Sequence, residues 1–314
     1  MYSAFPRYLE VVDPQPNPEA AAIRASQPTM KALTVEDVAR HDQNMMNFHN
    51  HIIKDEVWPD CITANFHYTR EGHIGLIHAF RPRSEQILPV LVFYHGGGYT
   101  TCKMEMYDFE MRSLCIESNC LVLSVDYPAA LDGYTVPEQF EDCYAALLAI
   151  AEQAATLNGD ANKICVMGDS AGGDIAGGMS VLARDRKGPK IHHQFLMYPG
   201  IGFDLTEACS SSGVLNDKNI LSTCFHDPLD SQQRHISLML DERKSELPPT
   251  TFFVGTCDFL LDATLVYAKA LSDSGVPVRL RLYDGIPHGF ILYNNSAIRD
   301  CFSEISKEIE EIFS

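Results

Sequence analysis

KICVMGDSAGGD, residues 163–174, runs from a short apolar segment straight into small residues gathered around one serine. The spacing Gly168-x-Ser170-x-Gly172 fits a tight strand-to-helix turn that pushes a hydroxyl out of the backbone. The flanking residues must be small, because a side chain there collides with the neighbouring strand or an approaching substrate. An ordinary glycine-rich turn with a bystander serine has the same spacing, so the rest of the chain has to decide between the two.

Short apolar runs of the same kind recur at 90–94 (VLVFY), 121–127 (LVLSVDY), 193–198 (HQFLMY), 250–255 (TTFFVG) and 276–283 (VPVRLRLY). Each suits a strand buried on both faces. Helical patterns fill the intervals, at 105–118, 137–156, 170–185, 260–274 and 296–313. Runs 61–69 and 73–80 flank Arg70-Glu71-Gly72 as a hairpin. Strands alternating with helices predict an α/β fold: a mostly parallel central sheet, antiparallel at its start, covered by helices on both faces. Residues 61–201 and 248–314 read as that domain. Two stretches break the alternation. Residues 1–60 are punctuated by proline and then turn helical behind the cap-like Thr34-x-x-Asp37. Residues 202–247 carry helical pieces at 207–215 and 227–240 and no strand. Together they read as an N-terminal cap segment and a cap insertion, forming a helical cap over the site.

A formal net charge of −18 argues against nucleic acid and anionic membranes, both of which need clustered basic residues. It suits an enzyme acting on a small neutral molecule. The N-terminus lacks a basic segment followed by an apolar one, so no signal peptide is expected. No apolar run approaches the roughly 18 residues of a membrane span. Ten cysteines without a C-x-x-C pair read as reduced thiols, which places the chain in the cytoplasm. His192-His193 and His49-x-His51 lack acidic or thiol partners nearby, so no metal is expected.

A serine hydroxyl needs a base within reach and an acid to orient that base. In this fold both follow the serine, each on a loop after a later strand. Asp258 stands three residues past Gly255, after the run 250–255, and His288 follows the run 276–283. His226 and His235 fall inside the insertion, and Asp262 and Asp284 are displaced from the expected loops. Acyl transfer also needs preset N–H donors for a developing oxyanion. Gly96, Gly97 and Gly98 after His95, with the N–H of Ala171 next to the serine, offer them. No Gly-Lys-Ser/Thr or Gly-x-Gly-x-x-Gly follows, which argues against a nucleotide site. Asp169 and His95 read as residues that hold the turn and the glycine loop.

HGGGY (95–99), GDSAGG (168–173), DFLLD (258–262) and HGF (288–290) together resemble the hormone-sensitive-lipase-like group of α/β-hydrolases, over about residues 60–314. The resemblance implies the α/β-hydrolase fold with Ser170 as nucleophile, His288 as general base and then acid, and Asp258 as the orienting carboxylate. It implies Gly96, Gly97 and Ala171 as oxyanion donors, hydrolysis of short- to medium-chain carboxylic esters, no cofactor, and a homodimer. Tyr99, Phe203, Phe259 and Phe290 flank the motifs and are expected to line a substrate pocket. Two departures bear on substrate shape. PAALDG (128–133) stands where the family has Arg-Leu-Ala-Pro-Glu, and Asp174 where it has asparagine. The same triad also serves amide hydrolysis, and the scaffold is reused in non-catalytic small-ligand receptors, so both stay as alternatives.

Overall fold

The apolar runs become strands because neighbouring strands and helices cover them completely. Leu91, Val92, Phe93, Val122 and Leu123 are all fully buried. The computed structural model describes residues 8–15, 17–26, 58, 60–101, 103–203, 209, 222, 224–293 and 295–314. Among them are β1 (Leu9–Gln15), β2 (Cys61–Arg70), β3 (His73–Pro82), β4 (Leu88–Tyr94), β5 (Leu121–Asp126), β6 (Gly159–Asp169), β7 (Ile191–Met197), β8 (Thr250–Gly255) and β9 (Val278–Tyr283). They form one nine-stranded sheet in the order β1-β9-β8-β7-β6-β4-β5-β3-β2. β2 and β3 form the expected antiparallel hairpin, β3 runs antiparallel to β5, and the remaining pairs are parallel.

The described helices are α1 (Ala20–Ser26), α2 (Asp108–Ser118), α3 (Val136–Gln153), α4 (Ala171–Arg186), α5 (Leu261–Asp273) and α6 (Ser296–Phe313). Local chemistry starts the long ones. Thr135 and Glu138 close a reciprocal capping box at α3, with Pro137 in its first turn. The Asn295 side chain accepts from the N–H groups of Ala297 and Ile298 at α6. Ile298, Cys301, Phe302, Ile305 and Ile309 then fall on one buried face of α6.

Two expectations need correction. The first 60 residues are not all cap, because Leu9–Gln15 pair in parallel with β9. This edge strand is hydrogen-bonded on one side only and holds Pro14, so it lacks the doubly buried signature of the others. The helix expected behind Thr34 lies outside the described residues. In the insertion, the stretch 227–240 makes short 3₁₀ turns, Pro228–Gln232 and Leu238–Leu240, instead of one helix. Proline opens the first turn, and Gln233 is already extended. This part packs down onto α4: a Cβ on Gly178 would lie 2.3 Å from the His235 carbonyl oxygen. Asp241 holds it there through Arg184, at 2.7 and 2.9 Å. The piece expected at 207–215 lies outside the described residues, except for Cys209.

Candidate active site

Strand β6 ends at Asp169 and α4 begins at Ala171, which leaves Ser170 alone at the corner. Its backbone is strained, at φ 54° and ψ −120°. That conformation costs a non-glycine residue about 1–3 kcal/mol. The surroundings hold it: the Ser170 N–H donates to the Met197 carbonyl at 3.0 Å, and its carbonyl accepts from Gly173 and Gly200 at 3.0 and 3.1 Å. The small neighbours are a packing necessity. A Cβ on Gly172 would sit 2.0 Å from the Tyr94 carbonyl oxygen, and one on Gly168 would sit 2.0 Å from that of Gly172. Both obstacles are backbone and cannot swing aside. Gly172→Ala is expected to destabilise the chain by about 3 kcal/mol, read as a lowered midpoint in urea unfolding.

Asp258 and His288 reach the same point from the carboxyl ends of β8 and β9. His288 Nε2 lies 2.9 Å from Ser170 Oγ, and its Nδ1 lies 3.0 Å from both carboxylate oxygens of Asp258. Asp258 is buried and is itself fixed, accepting the Leu260 N–H at 2.8 Å. The imidazole stands edge-on to Tyr198 at 4.8 Å and lies 4.5 Å from the Phe259 ring. A hydroxyl, an imidazole and a carboxylate so linked can deprotonate the hydroxyl and hold the resulting imidazolium.

Strand β4 delivers the glycine loop to the same edge. The buried His95 accepts no role as a base here. Its Nδ1 bonds the Gly96 carbonyl at 2.7 Å, and its ring stacks on Tyr127 at 4.2 Å. The Tyr127 hydroxyl in turn donates to the His95 carbonyl at 2.5 Å. Asp169, also buried, accepts the Gly96 N–H at 2.7 Å and the hydroxyls of Tyr107 and Tyr198 at 3.3 and 3.4 Å. Gly96 therefore drops out as an oxyanion donor, because its only N–H is already given to Asp169 and to the Tyr107 hydroxyl. The next two glycines stand differently. Gly97 and Gly98 have φ of 123° and 61°, and among the described residues no acceptor takes either N–H. Ala171 is the first residue of α4, so its N–H has no partner within the helix. Gly97, Gly98 and Ala171 are the donors left to face an oxyanion.

The four aromatic residues divide. Phe290 is core, fully buried between the rings of Tyr198 and Tyr283, which corrects its expected place in the pocket. Tyr99 and Phe203 are buried against each other at 5.3 Å. Phe259, half-buried on the His288 ring, keeps an accessible face. The Tyr99 hydroxyl donates to Asp174 at 2.5 Å, while its carbonyl accepts from Ala130 N–H and Gln139 Nε2. Asp174 thus ties the glycine loop to the helix that follows Ser170. Burial pushes its carboxyl well above the usual range, against the pull of the Tyr99 hydroxyl and the Gly202 N–H. Tyr107, Tyr127 and Tyr198, which hold the loop and turn, carry no local sequence signal, because each acts across the fold. Gly98 was legible as part of the glycine run.

Burial lowers three histidines, His95 to about 4, His193 to about 3 and His235 to about 4. Each stays neutral in the folded chain below pH 6.5, while the unfolded chain takes up the proton, so stability falls with pH from about 6.5 towards 4. Burial raises Asp126 and Asp169 to about 6, and both oppose this by binding protons first in the folded state. The buried carboxyls of Asp174 and Glu110, raised further still above the usual range, act in the same direction as Asp126 and Asp169. The loss at the histidines is thereby offset, and the urea midpoint is not expected to fall between pH 7 and about pH 5.

Among the described residues no cluster of three or more metal-ligating side chains occurs, and no helix is long and apolar enough to cross a membrane. A family profile described as the alpha/beta hydrolase fold matches residues 91–292. The chain is 34% identical over 235 residues to the carboxylic ester hydrolase LipN of Mycobacterium tuberculosis, covering 70% of this chain and 61% of that one. It is 34% identical over 216 residues to the carboxylesterase NlhH of the same organism, covering 65% and 67%. The match therefore spans less than two thirds of the first relative's length. Among solved structures, a hyperthermophilic esterase from the archaeon Pyrobaculum calidifontis superposes with a TM-score of 0.81 at 26% identity, covering 96% of this chain and 99% of that one.

Proposed function

From the premise that this chain belongs to the hormone-sensitive-lipase-like α/β-hydrolases, we propose that it is a serine carboxylesterase acting on small esters with short to medium acyl chains. The observation that carries the proposal is the continuous link from Ser170 Oγ through both nitrogens of His288 to Asp258. Ser170 Oγ attacks the ester carbonyl as His288 Nε2 takes its proton, and the carbonyl oxygen becomes an oxyanion. The N–H groups of Gly97, Gly98 and Ala171 receive that charge. His288 then returns the proton to the leaving alcohol, which leaves the acyl group on Ser170. Water, deprotonated by the same imidazole, attacks this acyl-enzyme, and the acid departs. Asp258 accepts from Nδ1–H, so that Nε2 faces the serine. No step calls for a cofactor.

The names of the relatives, a carboxylic ester hydrolase and a carboxylesterase, support an ester substrate. Phe259 is proposed as the aromatic side chain that touches it, and the insertion 202–247 as part of a cap over it. Cytoplasmic location rests on the unpatterned cysteines, and a homodimer on the family resemblance. The test is turnover of p-nitrophenyl esters from acetate to laurate beside the matched anilides. Esters of the shorter chains should be hydrolysed well and anilides poorly. Anilides cleaved as fast as esters would make the enzyme an amidase. A folded protein inert to both would leave the receptor reading standing instead.

A further inference from the structure

Away from the triad, two buried thiols meet at the outer edge of the sheet. Cys61 Sγ, at the first residue of β2, lies 4.0 Å from Cys115 Sγ on the inward face of α2. We propose that Cys61 and Cys115 form a reversible redox pair, which a hydroperoxide oxidises to a disulfide joining β2 to α2.

The two sulfurs already touch, and a disulfide asks them to close to about 2.05 Å. Each sulfur turns on a single side-chain torsion, and Cys61 is at a strand end, its N–H bonded to the Trp58 carbonyl at 3.2 Å. The division of labour follows from position. Cys61 retains 7% exposure at the edge of the sheet, whereas Cys115 has none. The Cys115 thiol held against it lowers the Cys61 pKa, with burial opposing and the Arg112 guanidinium assisting. Cys115 is raised above the ordinary thiol range by the same contact and by burial. A thiolate beside a resolving thiol is the arrangement that hydroperoxides oxidise most readily. Among the described cysteines this is the one pair whose sulfurs are bonded to each other; Cys120 donates to the Ser118 carbonyl, and Cys301 to the Tyr283 hydroxyl.

The chemistry balances in two steps. The Cys61 thiolate attacks one peroxide oxygen, the O–O bond breaks, and the other oxygen leaves as water after taking a proton. Cys61 is then a sulfenic acid. The Cys115 sulfur attacks the Cys61 sulfur, the S–O bond breaks, and the hydroxyl leaves with the Cys115 proton as a second water. Overall, two thiols and one hydrogen peroxide give one disulfide and two waters. The loop closed in this way contains the whole of the glycine run at 95–99.

The test treats the full chain with stoichiometric hydrogen peroxide, blocks remaining thiols with iodoacetamide and maps peptides without reduction. The expected result is a peptide joining Cys61 to Cys115 that dithiothreitol releases. In Cys115→Ser, which removes the resolving thiol, dimedone should label Cys61 as the trapped sulfenic acid. Oxidation that leaves the pair alkylated while other cysteines react would overturn the proposal. So would dimedone labelling of Cys115→Ser at sites other than Cys61. Cys61→Ser serves as the folded control, since it should lose the cross-link and show no sulfenic acid at Cys115.

Discussion

Ser170→Ala is expected to lower kcat on p-nitrophenyl acetate by about 10⁶-fold, or about 8 kcal/mol of barrier, with thermal unfolding unchanged or slightly improved. The size of the effect follows from what the hydroxyl does. It is the atom that takes the acyl group, so its loss removes the covalent route and leaves only a water attacking between the oxyanion donors. Stability should not suffer, because the structure holds the corner through the backbone of Ser170: its N–H on Met197, and its carbonyl on Gly173 and Gly200. None of those bonds involves Oγ. Alanine at a φ of 54° meets the same strain as serine. Steady-state kinetics with a thermal melt of the same preparation checks both halves.

Asp258→Asn is expected to cost about 10⁴-fold in kcat, about 5 kcal/mol, with little change in KM. Both carboxylate oxygens stand 3.0 Å from His288 Nδ1, so the carboxylate sees only a donor there and fixes the tautomer with Nε2 free to accept from Ser170. An amide presents its NH₂ to Nδ1 as readily as its oxygen. The Leu260 N–H, which donates to Oδ1 at 2.8 Å, claims the amide oxygen and turns the NH₂ towards the ring. Nδ1 must then accept, Nε2 carries the proton, and the base faces its substrate in the wrong form. The burial of Asp258 keeps water from restoring the tautomer. Activity that survives should rise with pH no more steeply than in wild type, since the loss is one of orientation.

The contribution of each position to this site decided whether it was legible. Ser170, Asp258 and His288 announce themselves because a strand–corner–helix must use small residues, and because the parallel topology puts the loops after β6, β8 and β9 on one edge. Strand runs such as 90–94 read clearly because burial on both faces leaves an unbroken apolar signal. β1 escaped, since a sheet edge covered on one side has no such signal and Pro14 argues against a strand. The error at Gly96 is of another kind. Three consecutive glycines are interchangeable in sequence, and what separates the first is the buried Asp169 carboxylate, which arrives from β6 and takes its N–H. Phe290 is a similar case: one residue beyond Gly289, pocket-lining and core aromatics look alike in sequence, and the rings of Tyr198 and Tyr283 around it place it in the core.

The same distinction explains Asp174. Sequence shows a carboxylate one turn past the nucleophile, but its purpose depends on Tyr99, 75 residues earlier. Their contact links the loop that would receive the oxyanion to the helix that starts at the serine. The departure from the family's asparagine thus keeps a hydrogen-bonding group of similar size at a buried position.

The most direct measurement is intact-mass and peptide analysis of the chain after reaction with a fluorophosphonate, an acylation mimic that is trapped by the activated nucleophile. One equivalent of adduct, confined to Ser170 and absent from Ser170→Ala and His288→Ala, is the result this account predicts. Adduct on another residue, or undiminished labelling in either variant, would contradict it.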